Sequence, residues 1–176
     1  FQMNQRRGRR CSAAHAFLNP VKSRSNLTIV TNAMVQGLEL STIEGELRAT
    51  GVNVSLDGSA KQIFKARKEV ILSAGSIGSP QLLQLSGIGP GSLLEAHGMV
   101  VQRDLPGVGE NLQDHLQIRT VYKVSNTTTL NALYNSLWGK VKMGLQYMLS
   151  RSGPLTMPPS QLGAFAKSDP GQPTAN

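Results

Sequence analysis

Apolar residues along this chain change period several times, and the changes divide it into elements. Leu27-Thr-Ile-Val-Thr31 is β-branched and predicts a buried strand. Residues 34–40, 47–54 and 61–65 alternate apolar and polar, with Gly45 and Asp57-Gly58 between them. Asp-Gly between two strand-like runs is a strong hairpin signal, so a small antiparallel meander is expected here. A further apolar strand is expected over residues 68–72. It runs into Gly75-Ser-Ile-Gly-Ser-Pro-Gln-Leu-Leu-Gln-Leu-Ser-Gly-Ile-Gly89, which predicts a short helix closing on Ser86-Gly87-Ile88-Gly89. Pro80 is expected in that helix's first turn, where a missing N–H costs nothing, with Leu82, Leu83 and Leu85 in the core.

Helices are also expected over residues 12–18, stopping at Asn19-Pro20, and over 92–97, ended by Gly98. A longer helix is expected over 133–149, with Leu137, Val141, Leu145, Met148 and Leu149 at helical spacing and Ser152-Gly153-Pro154 as its stop. Short strands are expected over 100–104, 117–124 and 162–166. Between them, Leu105-Pro-Gly-Val-Gly-Glu-Asn-Leu-Gln-Asp-His115 reads as a loop whose Gly107 and Gly109 take backbone angles closed to other residues. The order predicts an α/β part passing into an α+β part near residue 120.

The chain has 176 residues, enough for one domain with a core. It begins at Phe1 and ends in a polar Pro/Gly stretch, which reads as an internal piece of a longer protein. No apolar run approaches the roughly 18–20 residues of a membrane span, and no signal-peptide pattern precedes residue 20. The one cysteine, Cys11, excludes an internal disulfide and fits a reducing compartment. His15, His97 and His115 are scattered, so no metal site is expected.

The net charge is +8, and basic residues cluster at Arg6–Arg10 and at Lys61–Lys68. Such clusters occur in nucleic-acid binders, but aromatic residues make up 5% of the chain and none interleaves with the arginines. A solvated loop, or a surface facing an acidic region elsewhere, is the preferred reading, and no nucleic-acid partner is expected.

A strand, a small-residue turn and a helix bring backbone N–H groups up against a dinucleotide in α/β proteins. Ser73-Ala74-Gly75 supplies that turn, and its small side chains equally suit tight strand–helix packing. Four blocks follow one another in this chain. They are Gly8–Ser12 running on through Ala16–Pro20 to Arg24–Val30, then Arg48-Ala-Thr-Gly-Val52, Lys68–Gly75 with the Gly75–Gly89 stretch, and Asp104–His115. In order and spacing they resemble the glucose-methanol-choline (GMC) flavoprotein oxidoreductases, nearest to the choline-dehydrogenase and aliphatic-alcohol-dehydrogenase branch.

The resemblance implies a Rossmann-like FAD-binding domain with an inserted meander, residues 1–120, and the beginning of an α+β substrate domain, residues 121–176, both incomplete. It implies FAD as cofactor, a primary alcohol as substrate, flavin N5 as hydride acceptor, and an electron acceptor or oxygen to reoxidise it. Val35, otherwise an ordinary core valine, would contact the adenine through its backbone. Ala74 and Gly75 would approach the ribose and pyrophosphate, and Asn111 would lie near the flavin. The family's Gly-x-Gly-x-x-Gly fingerprint and its catalytic histidine pair match nothing in this chain, so no catalytic residue is expected within it. These 176 residues alone are expected neither to hold FAD tightly nor to turn over alcohol.

Asp114 and His115 read as a structural hydrogen-bonded pair. Choline-acting members carry a glutamate where Gln161 stands here, which tilts the expected substrate toward an uncharged primary alcohol. A cytoplasmic location is expected, and a membrane-peripheral one is compatible. A noncatalytic truncated relative acting as a binding module is the alternative function.

Overall fold

The computed structural model describes residues 4–114, 117–157, 163–167 and 169–173. They form two compact units, one of residues 30–119 and one of residues 1–29 with 120–176.

The second of these units begins with a two-residue antiparallel hairpin, β1 (Gln5–Arg6) and β2 (Arg9–Arg10), in which Arg6 stands across from Arg9. Arg7 and Gly8 turn it with φ of 52° and 71°. The helix expected over residues 12–18 is a single wide turn, Ala14–Leu18, closed by the Asn19 N–H donating to Ala14 O at 2.8 Å. None of its residues is buried, so no packing lengthens it.

The expected meander is present in the unit of residues 30–119. Strands β3 (Ala33–Ile43), β4 (Glu46–Leu56) and β5 (Gln62–Lys65) form an antiparallel sheet in the order β3-β4-β5. Glu44-Gly45 and Asp57-Gly58 have positive φ throughout, the geometry that matches strand twist in tight turns. The β3–β4 ladder slips between Val35 and Gly37, leaving Gln36 as the extra residue of a bulge.

Helix α1 (Gly75–Leu85) packs by its C-terminal end on β3. There the Ser86 Oγ accepts the Leu38 N–H at 2.8 Å and donates to Leu82 O at 2.6 Å. Asn53 lies across from Gly37 and so faces the same layer. It is buried, and its Oδ1 has no hydrogen-bond partner. Beyond α1 come β6 (Ile88–Gly89), α2 (Gly91–Ala96) and β7 (Arg103–Asp104), with β6 and β7 paired in parallel. The Asp104 carboxylate accepts the Gly91 N–H at 2.8 Å and so caps α2, which ends at Gly98 with φ 68° as expected. The core of this unit rests on Val54 and Leu94, 4% and 3% exposed.

In the other unit, α3 (Leu130–Asn135) and α4 (Leu137–Ser150) replace the single expected helix. Ser136 breaks it by capping α4, its Oγ accepting the Gly139 N–H at 3.3 Å, as Thr129 caps α3. Arg151, in the left-handed region, ends α4. Met143 is buried, whereas Leu137, Trp138, Met148 and Leu149 are exposed.

Several expected strands are absent. Residues 27–31, 68–72 and 117–124 pair with no strand, and only Arg103 and Asp104 of 100–104 do so. Ile29, Ile71, Val100 and Val121 are exposed. An apolar, β-branched run becomes a strand only when a neighbour supplies hydrogen bonds, and no described strand lies beside these. Residues 163–167 carry no element, while Leu162 lies outside the described residues. Helix α1 starts at Gly75, so Pro80 stands in its second turn and its missing N–H releases the Ser76 carbonyl. Leu82 and Leu83 are half-buried, but Leu85 is half-exposed instead of in the core. Gly109 has positive φ, 86°, whereas Gly107 does not; the second left-handed residue of that loop is Asn111, φ 57°. No described helix is long and apolar enough to cross a membrane.

Candidate functional site

The Gly75–Gly89 stretch and the Asp104–Gln113 loop, joined at their near ends by the Leu105 N–H donating to Gly89 O at 2.9 Å, meet in one groove. Residues 76, 77, 80, 81 and 84 share one face of α1, as their i, i+4, i+8 spacing requires. Gly109 to Gln113 run along the opposite wall, and the groove between them encloses about 550 Å³. The Gln84 Nε2 donates to Val108 O at 3.1 Å and ties the two walls together.

Ser76 and Ile77 bring the first turn of α1 to this groove. Ala74 occupies the N-cap position, yet no side chain caps the helix and no acidic residue stands in its first turn. The Ala74 N–H donates to the Ser79 Oγ at 3.0 Å. The N–H groups of the helix's first turn have no partner within the helix and carry its positive dipole end. Residues 73–77 are exposed, and Gly75 has φ 87° with no atom within 4 Å of where a Cβ would stand. N–H donors without a cap at an exposed helix start suit an anionic group. Glu110 is the one carboxylate among the groove-lining residues.

Of the residues singled out in the sequence, Ala74, Gly75 and Asn111 belong to this region. Asn111 lines the groove, and Ala74 and Gly75 open the helix that forms its other wall. Val35 is elsewhere. It is half-buried on β3, paired with Val54 beside the Gln36 bulge, two residues before the Gly37–Leu38 segment that carries the other end of α1. The helix between these ends spans about 16 Å, at 1.5 Å per residue. Gln161 and His115 lie outside the described residues, so the substrate position and the Asp114–His115 pair carry no structural description.

His15 is exposed on its single turn and His97 forms the C-terminal cap of α2. Cys11 is half-buried and free. Among the described residues no group of three His, Cys, Asp or Glu side chains could hold a metal ion. The reading of individual residues missed Gln84. Its sequence position, on the same helical face as Ser76 and Pro80, was the available signal.

A GMC oxidoreductase family model matches residues 1–117. The oxygen-dependent choline dehydrogenase of Pseudomonas putida is 42% identical over 166 residues, covering 93% of this chain and 28% of its own length. That of Burkholderia pseudomallei is 41% identical over 172 residues, covering 97% and 29%. Among solved structures, an FAD-dependent oxidoreductase from Chaetomium thermophilum superposes with a TM-score of 0.74 at 30% identity, over 88% of this chain and 26% of that one. A formate oxidase superposes with a TM-score of 0.63 at 31% identity, over 77% and 23%. The chain thus spans little more than a quarter of the length of the curated relatives it matches.

Proposed function

The chain belongs to the GMC oxidoreductase family, and from that premise we propose that it forms part of an FAD-dependent oxidoreductase acting on the CH–OH group of a primary alcohol. The observation that carries this reading is the groove between α1 and the Gly109–Gln113 loop, reached by the first turn of an uncapped helix. Residues 1–120 would be the middle and later part of the cofactor domain, and 121–176 the beginning of the substrate domain.

The residues present fit FAD in three respects. The first-turn N–H groups after Ala74 and Gly75 are positioned to receive an anionic phosphate or ribose oxygens without a Cβ in the way. Asn111, held in a left-handed loop, offers an amide to the groove. Val35, near the C-terminal end of α1 and next to a break in the sheet ladder, would be the residue that meets the adenine. An elongated dinucleotide matches this separation of its contacts. When bound, FAD would supply the hydride acceptor for alcohol oxidation. This chain's own part is to bind and orient that cofactor, and the proton of the alcohol is removed by a base outside these residues.

The naming of the Pseudomonas and Burkholderia relatives makes choline the first alcohol to test and oxygen the first acceptor. Gln161 would set the preference between choline and an uncharged aliphatic alcohol. A cytoplasmic setting fits the lone free Cys11.

The test is the intact enzyme that carries this chain, purified and assayed for bound flavin and for bleaching of the flavin absorbance by choline and by a straight-chain primary alcohol. Stoichiometric FAD reduced by either alcohol supports the reading. A protein that carries no flavin after reconstitution contradicts it.

A further inference from the structure

Gln84 stands between two glycines. A Cβ on Gly89 would come within 3.0 Å of the Gln84 Cγ, and a Cβ on Gly109 within 2.9 Å of its Nε2. The side chain is half-buried, and its one hydrogen bond among those described is the donation to Val108 O at 3.1 Å. Gly109 also has φ 86°, so a side chain there would be strained and would displace the Gln84 amide from its place. Two residues further on is Asn111, at φ 57°. Within the loop itself the backbone bonds are short-range turns, Val108 N–H to Leu105 O at 3.1 Å and Glu110 N–H to Gly107 O at 3.3 Å. These shape the loop but do not fasten it to α1.

We propose that Gln84 is a positioning residue of the groove. Its side chain, with the methylenes against Gly89 and the carboxamide against Gly109, fixes the Val108–Asn111 segment against α1 and so sets where Asn111 stands. The donor matters as well as the volume, because Val108 O is an acceptor and needs an N–H facing it. That this placement serves a cofactor rests on the reading of the groove given above; the fastening itself does not.

Two substitutions in the intact enzyme separate donation from packing. Gln84→Glu keeps the shape but turns a carboxylate oxygen toward Val108 O, and Gln84→Met keeps length and bulk without a donor. Amide hydrogen exchange is followed at residues 107–113, with residues 33–56 as the internal reference. Loss of one net hydrogen bond corresponds to about a five-fold loss of protection. We expect that loss for Gln84→Met and a larger one for Gln84→Glu, with the reference unchanged and FAD affinity lowered in the same order. Gln84→Glu exchanging like the parent would show that only volume matters and overturn the proposal. Loosening of 107–113 with FAD affinity unchanged would leave the fastening role standing and remove the cofactor from this groove.

Discussion

The two units differ in how far each satisfies its own side chains. Residues 30–119 hold the three-stranded sheet, α1 and α2, and bury Val54 and Leu94 between them. Their seven Lys and Arg stand against nine Asp and Glu. Residues 1–29 with 120–176 carry eleven Lys and Arg against the single Asp169, so this unit is the source of the chain's positive charge. It buries Met143 but exposes Trp138, Leu149 and Val121 at 81%, 84% and 94%. The first unit pairs its meander and buries two apolar side chains, although Ile71 and Val100 remain exposed. The other carries the same kind of apolar patterning with the partners not among its described residues.

If that contrast is right, truncating apolar side chains has unequal consequences in the two units. Leu94→Ala, at 3% exposed, is expected to cost about 2–4 kcal/mol, read from chemical denaturation of the intact enzyme's cofactor domain. Leu149→Ala, in this chain isolated as 176 residues, is expected to change stability by no more than about 0.5 kcal/mol. A loss at Leu149 as large as at Leu94 would mean that its face is covered within these residues, and the comparison would fail.

A smaller effect sharpens the account of the better-packed unit. Asn53 buries an acceptor with no partner, which costs stability there. Asn53→Leu is expected to raise stability by about 1 kcal/mol, seen as a higher unfolding midpoint. A decrease would show that the carboxamide is satisfied in solution, by water or by a ligand.

The smallest effect is expected in the basic unit. Arg6 and Arg9 oppose each other across the β1–β2 hairpin, and like charges in that relation repel. Arg9→Glu replaces repulsion by attraction and is expected to stabilise the exposed hairpin by about 0.2–1 kcal/mol, declining with added salt. No gain at low salt would indicate that the arginines are already neutralised by a partner.

The same contrast explains what was legible in the residues. The meander was, because Gly45 and Asp57-Gly58 turn strands that lie next to each other in the chain. So was α2, whose stop at Gly98 is local, and so was the family, whose blocks are short and in order. The strands expected over 27–31, 68–72 and 117–124 were not, since their apolar runs say nothing about whether a neighbour lies alongside. The break at Ser136 was hidden by apolar residues that keep helical spacing across it, although Thr129 and Ser136 are both good cap residues. Gln84 escaped because its bond reaches a carbonyl 24 residues away. Ala74, Gly75 and Asn111 were singled out by the family resemblance; Asn111 lines the groove, and Ala74 and Gly75 stand at the start of the helix that forms its other wall. Val35 stands at the opposite end of the same helix.

The most direct test of the central claim is where FAD contacts this chain. Hydrogen exchange of the intact enzyme, stripped of flavin and then reconstituted, would be compared at residues 74–78 and 109–113 and at residues 137–150 of α4. The account predicts that FAD slows exchange at the first two segments and leaves α4 unchanged. Protection confined to α4, or none at 74–78 and 109–113, would contradict it.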